Sequence, residues 1–218
     1  MTGVILDRPW LRFDLGQPHQ VLSWAVNRPG MVMAQHILWR EVRNSDLPKD
    51  LDVTEWFATD LQAHSAQDTV AFLTSRDVRR YTQVLSEVGG ITAHAVATVG
   101  LSNAERIGHR MDYSRRNWGT INIAVQVSCG LTPTALIEAM SIATQARTAA
   151  VMDAKFALPM GVATGTGTDC IAVAAPEGQE AYAGLHTALG EVIGHSVYTA
   201  TLKGAREWIN ERQEAQHA

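Results

Sequence analysis

Residues 119–129 read GTINIAVQVSC, and residues 130–153 read GLTPTALIEAMSIATQARTAAVMD. The first stretch alternates, with Ile121, Ile123, Val125 and Val127 on one side and Asn122, Ala124, Gln126 and Ser128 on the other. That period of two is the signature of a strand. The second stretch changes period. Ala, Leu, Ile and Met recur at helical spacing, Thr132 is placed to cap the helix, and Pro133 suits its first turn. A strand that runs straight into a long Ala-rich helix calls for a further strand after it, and DCIAVAAP (169–176) supplies a short apolar run. Upstream, GITAHAVATVGLSN (90–103) alternates in the same way. The segments 90–101, 119–129 and 170–175 are therefore expected in one sheet.

Further out, LRFDL (11–15) alternates, and QVLSWAV (20–26) and MVMAQHILWREV (31–42) flank the turn signal NRPG (27–30), which predicts a hairpin. LPKDLDVTEWFATDLQAHSA (47–66) predicts a short helix with Asp52 or Thr54 near its start, and DTVAFLTS (68–75) a strand. RDVRRYTQVLSEVGG (76–90) reads as a short helix ended by Gly89 and Gly90, and 177–216 as largely helical. No repeat, low-complexity tract or Pro/Ser-rich linker divides the chain. The expected fold is one α+β domain spanning 1–218, with a mixed, largely antiparallel sheet covered by helices.

The composition of the 218-residue chain, 46% hydrophobic and 18% charged, is that of a globular domain. A net charge of -4 leaves no basic footprint for nucleic acid. No run approaches the ~18 apolar residues of a membrane span, and MTGVILDRPW lacks the basic-then-apolar order of a signal segment, so a cytoplasmic protein is expected. The two cysteines, Cys129 and Cys170, have no metal-ligand spacing and read as reduced thiols.

The chemistry-bearing stretch is GVATGTGTDC (161–170). Glycines let backbone N–H groups converge, and threonine hydroxyls add donors, so Thr164, Gly165, Thr166, Gly167 and Thr168 can grip an anion or a carbonyl. It is not a P-loop, since no Gly-Lys-Ser/Thr follows. Read plainly, the same residues make a tight, solvated turn. Asp169 suits a general base or an orienting group, or a simple turn cap. Cys170 enters an apolar run, where a buried, inert thiol is the plainer reading than a nucleophile. Between two strands, a polar stretch carries Asn103, His109, Arg110, Asp112, Arg115, Arg116 and Asn117, the kind of connection that lines pockets. YAGLHTALGEVIGHSVY (182–198) supplies His186, Glu191 and His195, but at ~100° per residue one helix points His186 and His195 to opposite sides. No metal site is expected there.

Three segments, WGTINIAVQVSCGLTPTALIEAMSIATQARTAAVMD, ATGTGTDCIAVA and YAGLHTALGEVIGHSVY, together resemble the adenosylcobinamide amidohydrolases of corrinoid salvage. VATVGLSNAERIGHR is similar to the Gly-x-x-Asn segment that precedes them, so the resemblance runs from about residue 90 to about residue 200. Where family members often have Ala-Gly-Asp, this chain has Ile107, Gly108 and His109, so that acid is missing or replaced by Asp112. The resemblance implies hydrolysis of the amide joining a propionyl arm of the corrin ring to aminopropanol, giving adenosylcobyric acid. It implies no resident cofactor, because the corrinoid is the substrate. Amide hydrolysis needs an activated water or nucleophile, donors for the oxyanion and a proton for the leaving amine. On that chemistry residues 164–168 supply donors, Asp169 or Glu191 the base and His186 the acid, while Asn103 and Asn122 hold amide groups of the substrate. The rival readings are a non-catalytic corrinoid- or nucleotide-binding module and an oligomerising domain built on the Ala-rich helix. Since no ligand set at metal spacing is present in the sequence, turnover of adenosylcobinamide is expected to survive a chelator. Loss of activity in EDTA, restored by one added metal, would overturn this expectation.

Overall fold

The computed structural model describes residues 3–43, 46–48, 50–111 and 119–217. Its centre is an eight-stranded sheet in the order β4-β3-β2-β12-β8-β6-β5, with β1 paired to β2 off that path. The strands are β1 (Gly3–Asp7), β2 (Trp10–Ser23), β3 (Gly30–Glu41), β4 (Val70–Thr74), β5 (Thr82–Val88), β6 (Ile91–Val99), β8 (Ile121–Val127) and β12 (Cys170–Ala175). Four two-residue strands form small pairs outside it: β7 (Ala104–Glu105) with β11 (Gly165–Thr166), and β9 (Ala157–Leu158) with β10 (Gly161–Val162). Pairing is antiparallel except for β3 with β4 and β8 with β12. Each parallel pair is joined through a helix, α1 (Val53–Ala63) and α2 (Pro133–Asp153), as the long crossover between parallel strands requires. The third helix is α3 (Ala188–His217). Segments 90–101, 119–129 and 170–175 thus share one mixed sheet, as the alternation of the first two and the continuous apolar run of the third predict.

The two faces of the central strands are covered differently. Ile121, Ile123, Val125 and Val127 of β8 join Ile171 and Val173 of β12 under α2 and α3. Alanines recur on both sides of that layer (Ala93, Ala95 and Ala97 on β6, Ala135, Ala139 and Ala143 on α2), so the helices sit close to the sheet. On the other face, Val96, Ala124, Ala172 and Ala174 meet Leu11, Phe13, Ile37, Trp39 and Phe72 from the N-terminal strands. The sheet turns back on itself through β2, whose register against β3 shifts between Asp14 and His19. Such a break in the ladder bends a strand and re-aims its side chains. α1 closes the outer side, packing Phe57 and Leu61 on Trp10, Leu38 and Ala71.

The helix caps follow the sequence. Asp52 accepts the N–H groups of Thr54 and Glu55 at 2.9 and 3.1 Å, and Thr132 accepts that of Ala135 at 3.2 Å. Two expected helices are corrected. Residues 76–90 hold only a short 3-10 turn, Val78–Arg80, before β5. Gly89 and Gly90, at φ +59° and +79°, make the hairpin turn into β6 rather than a helix end. Residues 177–187 are not helical, because their N–H groups are taken by other elements: Glu180 donates to the Gly130 carbonyl and Ala183 to the Glu138 carboxylate. Among the described residues, no helix is long and apolar enough to cross a membrane.

Position in the sheet sets the cost of truncation. Ile123 is fully buried on β8, whereas Leu85 on edge strand β5 is 70% exposed. Ile123→Ala is expected to cost about 2–5 kcal/mol, and Leu85→Ala to stay within about 0.5 kcal/mol. Urea denaturation midpoints of the two variants check this contrast.

Candidate active site

The Thr-Gly loop turns most of its donors inward. Thr164 donates its N–H to the Glu105 carbonyl at 2.8 Å, and its hydroxyl oxygen accepts the Ile107 N–H at 2.8 Å. The Gly167 N–H donates to the Asn103 carbonyl at 3.3 Å. The Thr168 hydroxyl donates to the Gly119 carbonyl at 3.0 Å and accepts the Asn103 amide N–H at 3.2 Å. Because that hydroxyl has one proton, the Asn103 nitrogen must face it, which leaves the buried Asn103 Oδ1 without a partner among the described residues. The Thr120 hydroxyl donates to the Thr168 carbonyl at 2.8 Å. Short pairing of β7 with β11 completes the frame.

Asp169 is the hub of this frame. Its Oδ1 accepts the Ile121 N–H at 3.2 Å and the Thr166 hydroxyl; its Oδ2 accepts the Thr166 N–H at 2.9 Å and the Arg147 guanidinium. Four donors on two oxygens occupy the acceptor sites of the carboxylate. The ion pair is buried, with side-chain exposures of 13% for Arg147 and 6% for Asp169. Burial lowers the Arg147 pKa, yet a guanidinium stays charged at neutral pH. Gly165 lies against the pair: a Cβ there would meet Arg147 Nη1 and stand 2.6 Å from Asp169 Oδ2. Sequence reading missed Arg147. Its signal was an arginine inside an otherwise Ala-, Ile- and Met-rich helix.

The loop reaches a cleft through Thr168. A cavity of about 510 Å³ is lined by Thr120 and Thr168 together with Val26, Val42, Leu51 and Leu73. A neighbouring cavity of about 340 Å³ shares Val42, Arg43, Ser75 and Gly119 with it. Arg43 also lines a third cavity, with Arg8 and Arg40. Arg8, Arg40 and Arg76 around these cavities pair with Glu41, Asp60 and Glu211, while no carboxylate pairs with the Arg43 guanidinium among the described residues. Burial alone would raise the Glu41 carboxyl. Hydrogen bonds from Arg8 and the Val78 N–H, with the Arg8 charge, outweigh it and hold Glu41 below its usual range. The Arg79 hydrogen bond leads a set of interactions that bring Asp77 down to about 2. Both acids therefore stay anionic and are weak proton acceptors at neutral pH.

Asn122 is placed behind this cleft rather than in it. Its amide nitrogen donates to the Leu73 carbonyl at 2.7 Å, which ties β8 to β4, and its Oδ1 lies 3.2 Å from the Thr120 hydroxyl, sharing the one proton that the hydroxyl gives to the Thr168 carbonyl. Cys170 is inert: burial drives its thiol up to about 12. Asp112, Arg115, Arg116 and Asn117 lie outside the described residues.

His186 and Glu191 are not brought to Asp169. The 183–184 backbone meets α2 at Glu138, whose carboxylate accepts the Ala183 N–H at 2.6 Å. Arg147, which meets Asp169, is nine positions further along the same helix, about 14 Å at 1.5 Å per residue. The side chains of His186 and Glu191 are exposed at that far pole. Their motif has a structural role there. Thr187 accepts the Gly190 N–H at 2.9 Å and starts α3, while a Cβ on Gly190 would crowd the Gly184 carbonyl and stand 2.6 Å from that of Ala183.

The contact between Gly165 and the ion pair yields a coupling test. Gly165→Ala is expected to cost roughly 1–3 kcal/mol by overpacking, and Arg147→Ala about 3–5 kcal/mol by stranding a buried carboxylate. In the double variant the new methyl occupies space the guanidinium has left. Its loss should therefore fall short of the sum by about 0.5–3 kcal/mol. Additive losses in a denaturation cycle would refute the contact.

The adenosylcobinamide amidohydrolase family model (CbiZ) matches residues 3–213. No curated protein matches the chain. Among solved structures, it is similar to the PH0078 protein from Pyrococcus horikoshii OT3, at 9% identity and a TM-score of 0.45, over 89% of this chain and 76% of that one. With a family match that runs almost end to end, this chain belongs to the adenosylcobinamide amidohydrolase family.

Proposed function

We propose that this chain hydrolyses the amide between the corrin propionyl arm and the aminopropanol of adenosylcobinamide, releasing adenosylcobyric acid for cobalamin salvage in the cytoplasm. Family membership across residues 3–213 is the observation that carries the reading. The cleft beside Thr168 supports it, since an arm of the macrocycle needs an apolar channel ending in polar groups. In this proposal the scissile amide lies along the Thr120–Thr168 wall. Arg43, whose guanidinium pairs with no carboxylate among the described residues, donates to amide carbonyls of the substrate. Asp169 is a positioning residue: its lone pairs are occupied, so it acts by holding Thr166 and Ile121 where the wall needs them. Asn103 and Asn122 brace the same wall from behind.

Proton transfer by His186 and Glu191 belongs to a second placement of the amide, at the far pole of α2. The two placements separate by experiment. Purified protein incubated with adenosylcobinamide should yield adenosylcobyric acid and aminopropanol, resolved by chromatography and mass spectrometry. Binding without turnover would leave a corrinoid-binding module in place of an enzyme. For cleavage in the cleft, Arg43→Ala is expected to lower kcat/KM by about 10²-fold or more, with His186→Ala within a few-fold of the unaltered chain. The reverse order would move the reaction to His186 and Glu191.

A further inference from the structure

Trp24 directly follows β2, and its indole N–H donates to the Asp169 carbonyl at 2.8 Å. The residue nevertheless remains 49% exposed. Tryptophan has a single polar atom, so an indole whose N–H is satisfied inside the protein presents only apolar ring surface. Trp10 and Trp39 bury that surface in the fold; Trp24 does not. The place where it is pinned is specific. Asp169 follows Thr168, which lines the 510 Å³ cavity, and Val26, two residues beyond Trp24, is an exposed part of the same lining. The ring is thus fastened to the backbone of the loop that walls the cleft, two residues from Val26, which shares its lining with Val42, Leu51, Val53 and Leu73. A ring held at its edge keeps one orientation, and a flat ligand stacking on it need not order it further.

We infer that Trp24 is a substrate-contact residue whose indole supports the flat apolar face of the corrin macrocycle while the scissile arm enters the adjoining cavity. This rests on the corrinoid-amide reading above and adds to it the group that bears the ring. The chemistry that fits is a broad, weakly polar conjugated ring. The anchoring hydrogen bond also couples the platform to the loop, because the carbonyl that holds the indole belongs to the residue whose carboxylate organises Thr166 and Ile121.

The test measures adenosylcobinamide binding by equilibrium dialysis, together with KM and kcat, in the unaltered chain, Trp24→Phe and Trp24→Ala. Phenylalanine keeps a ring without the N–H, and alanine keeps neither. Trp24→Ala is expected to raise Kd and KM about tenfold, with the loss falling chiefly on KM rather than kcat. Trp24→Phe should retain most of the binding. A second measurement needs no variant: adenosylcobinamide should protect Trp24 of the unaltered chain from N-bromosuccinimide oxidation, read by peptide mass spectrometry. If Trp24 only clamps the loop, Phe and Ala would lower kcat alike, Kd would not move, and Trp24 would oxidise equally with and without the corrinoid. That pattern overturns the platform alone. An unaltered chain that neither binds nor cleaves adenosylcobinamide overturns the platform together with the function on which it rests.

Discussion

A guanidinium and a carboxylate buried against each other, Arg147 and Asp169, hold together the three elements that meet at the candidate site. The arginine comes from α2, the aspartate leads into β12, and the same carboxylate takes the N–H of Ile121 at the start of β8. Taking two charges out of water is costly, and their attraction repays it only when the remaining hydrogen-bonding capacity is also met. Asp169 meets that condition with four donors, whereas the buried Nε of Arg147 has no hydrogen-bond partner among the described residues. Gly165 fits the pair because it has no side chain to displace the guanidinium. The loop is consequently a rigid wall whose hydroxyls and N–H groups mostly face inward.

The bend of the sheet determines where that wall points. β2 breaks register against β3, and the N-terminal strands fold over the second face of β8 and β12. The ends of β3 and β4 then come beside the start of β8, and Asn122 bridges them by donating to the Leu73 carbonyl. Val42, Arg43, Leu51 and Val53, with Leu73 to Ser75, thereby line the same cleft as Thr120 and Thr168. Small side chains at Ala124, Ala172 and Ala174 make room for Phe13, Trp39 and Phe72 on that face. The polar and apolar groups that line this one cleft are brought together by this fold-over.

The far pole shows how a motif can be rich in reactive residue types and still have a structural explanation. Thr187 begins α3, Gly190 allows the 183–184 backbone to cross closely, and Glu138 of α2 receives the Ala183 N–H. These bonds account for Thr187 and Gly190 without reference to any substrate, and they leave the His186 and Glu191 side chains at the surface.

Much of the fold was legible in local pattern. The alternation at 121–127, the caps at Asp52 and Thr132, and the apolar run at 170–175 all sit where their sequence predicts, because a strand's period or a cap's hydrogen bond is a property of neighbouring residues. Residues 76–90 were misread since arginines and a closing Gly-Gly suit a helix end as well as a hairpin, and only pairing with β6 decides between them. The Thr-Gly loop was also visible as a special stretch. By itself, then, the sequence determined the strand–helix–strand core, the unusual loop and the family resemblance. Which groups converge was decided by tertiary structure alone: Arg147 on Asp169, Trp24 on the Asp169 carbonyl, and His186 held away at the other end of α2. The physical reason is that these contacts join residues far apart in the chain, and their geometry depends on how the sheet bends and how α2 lies across it.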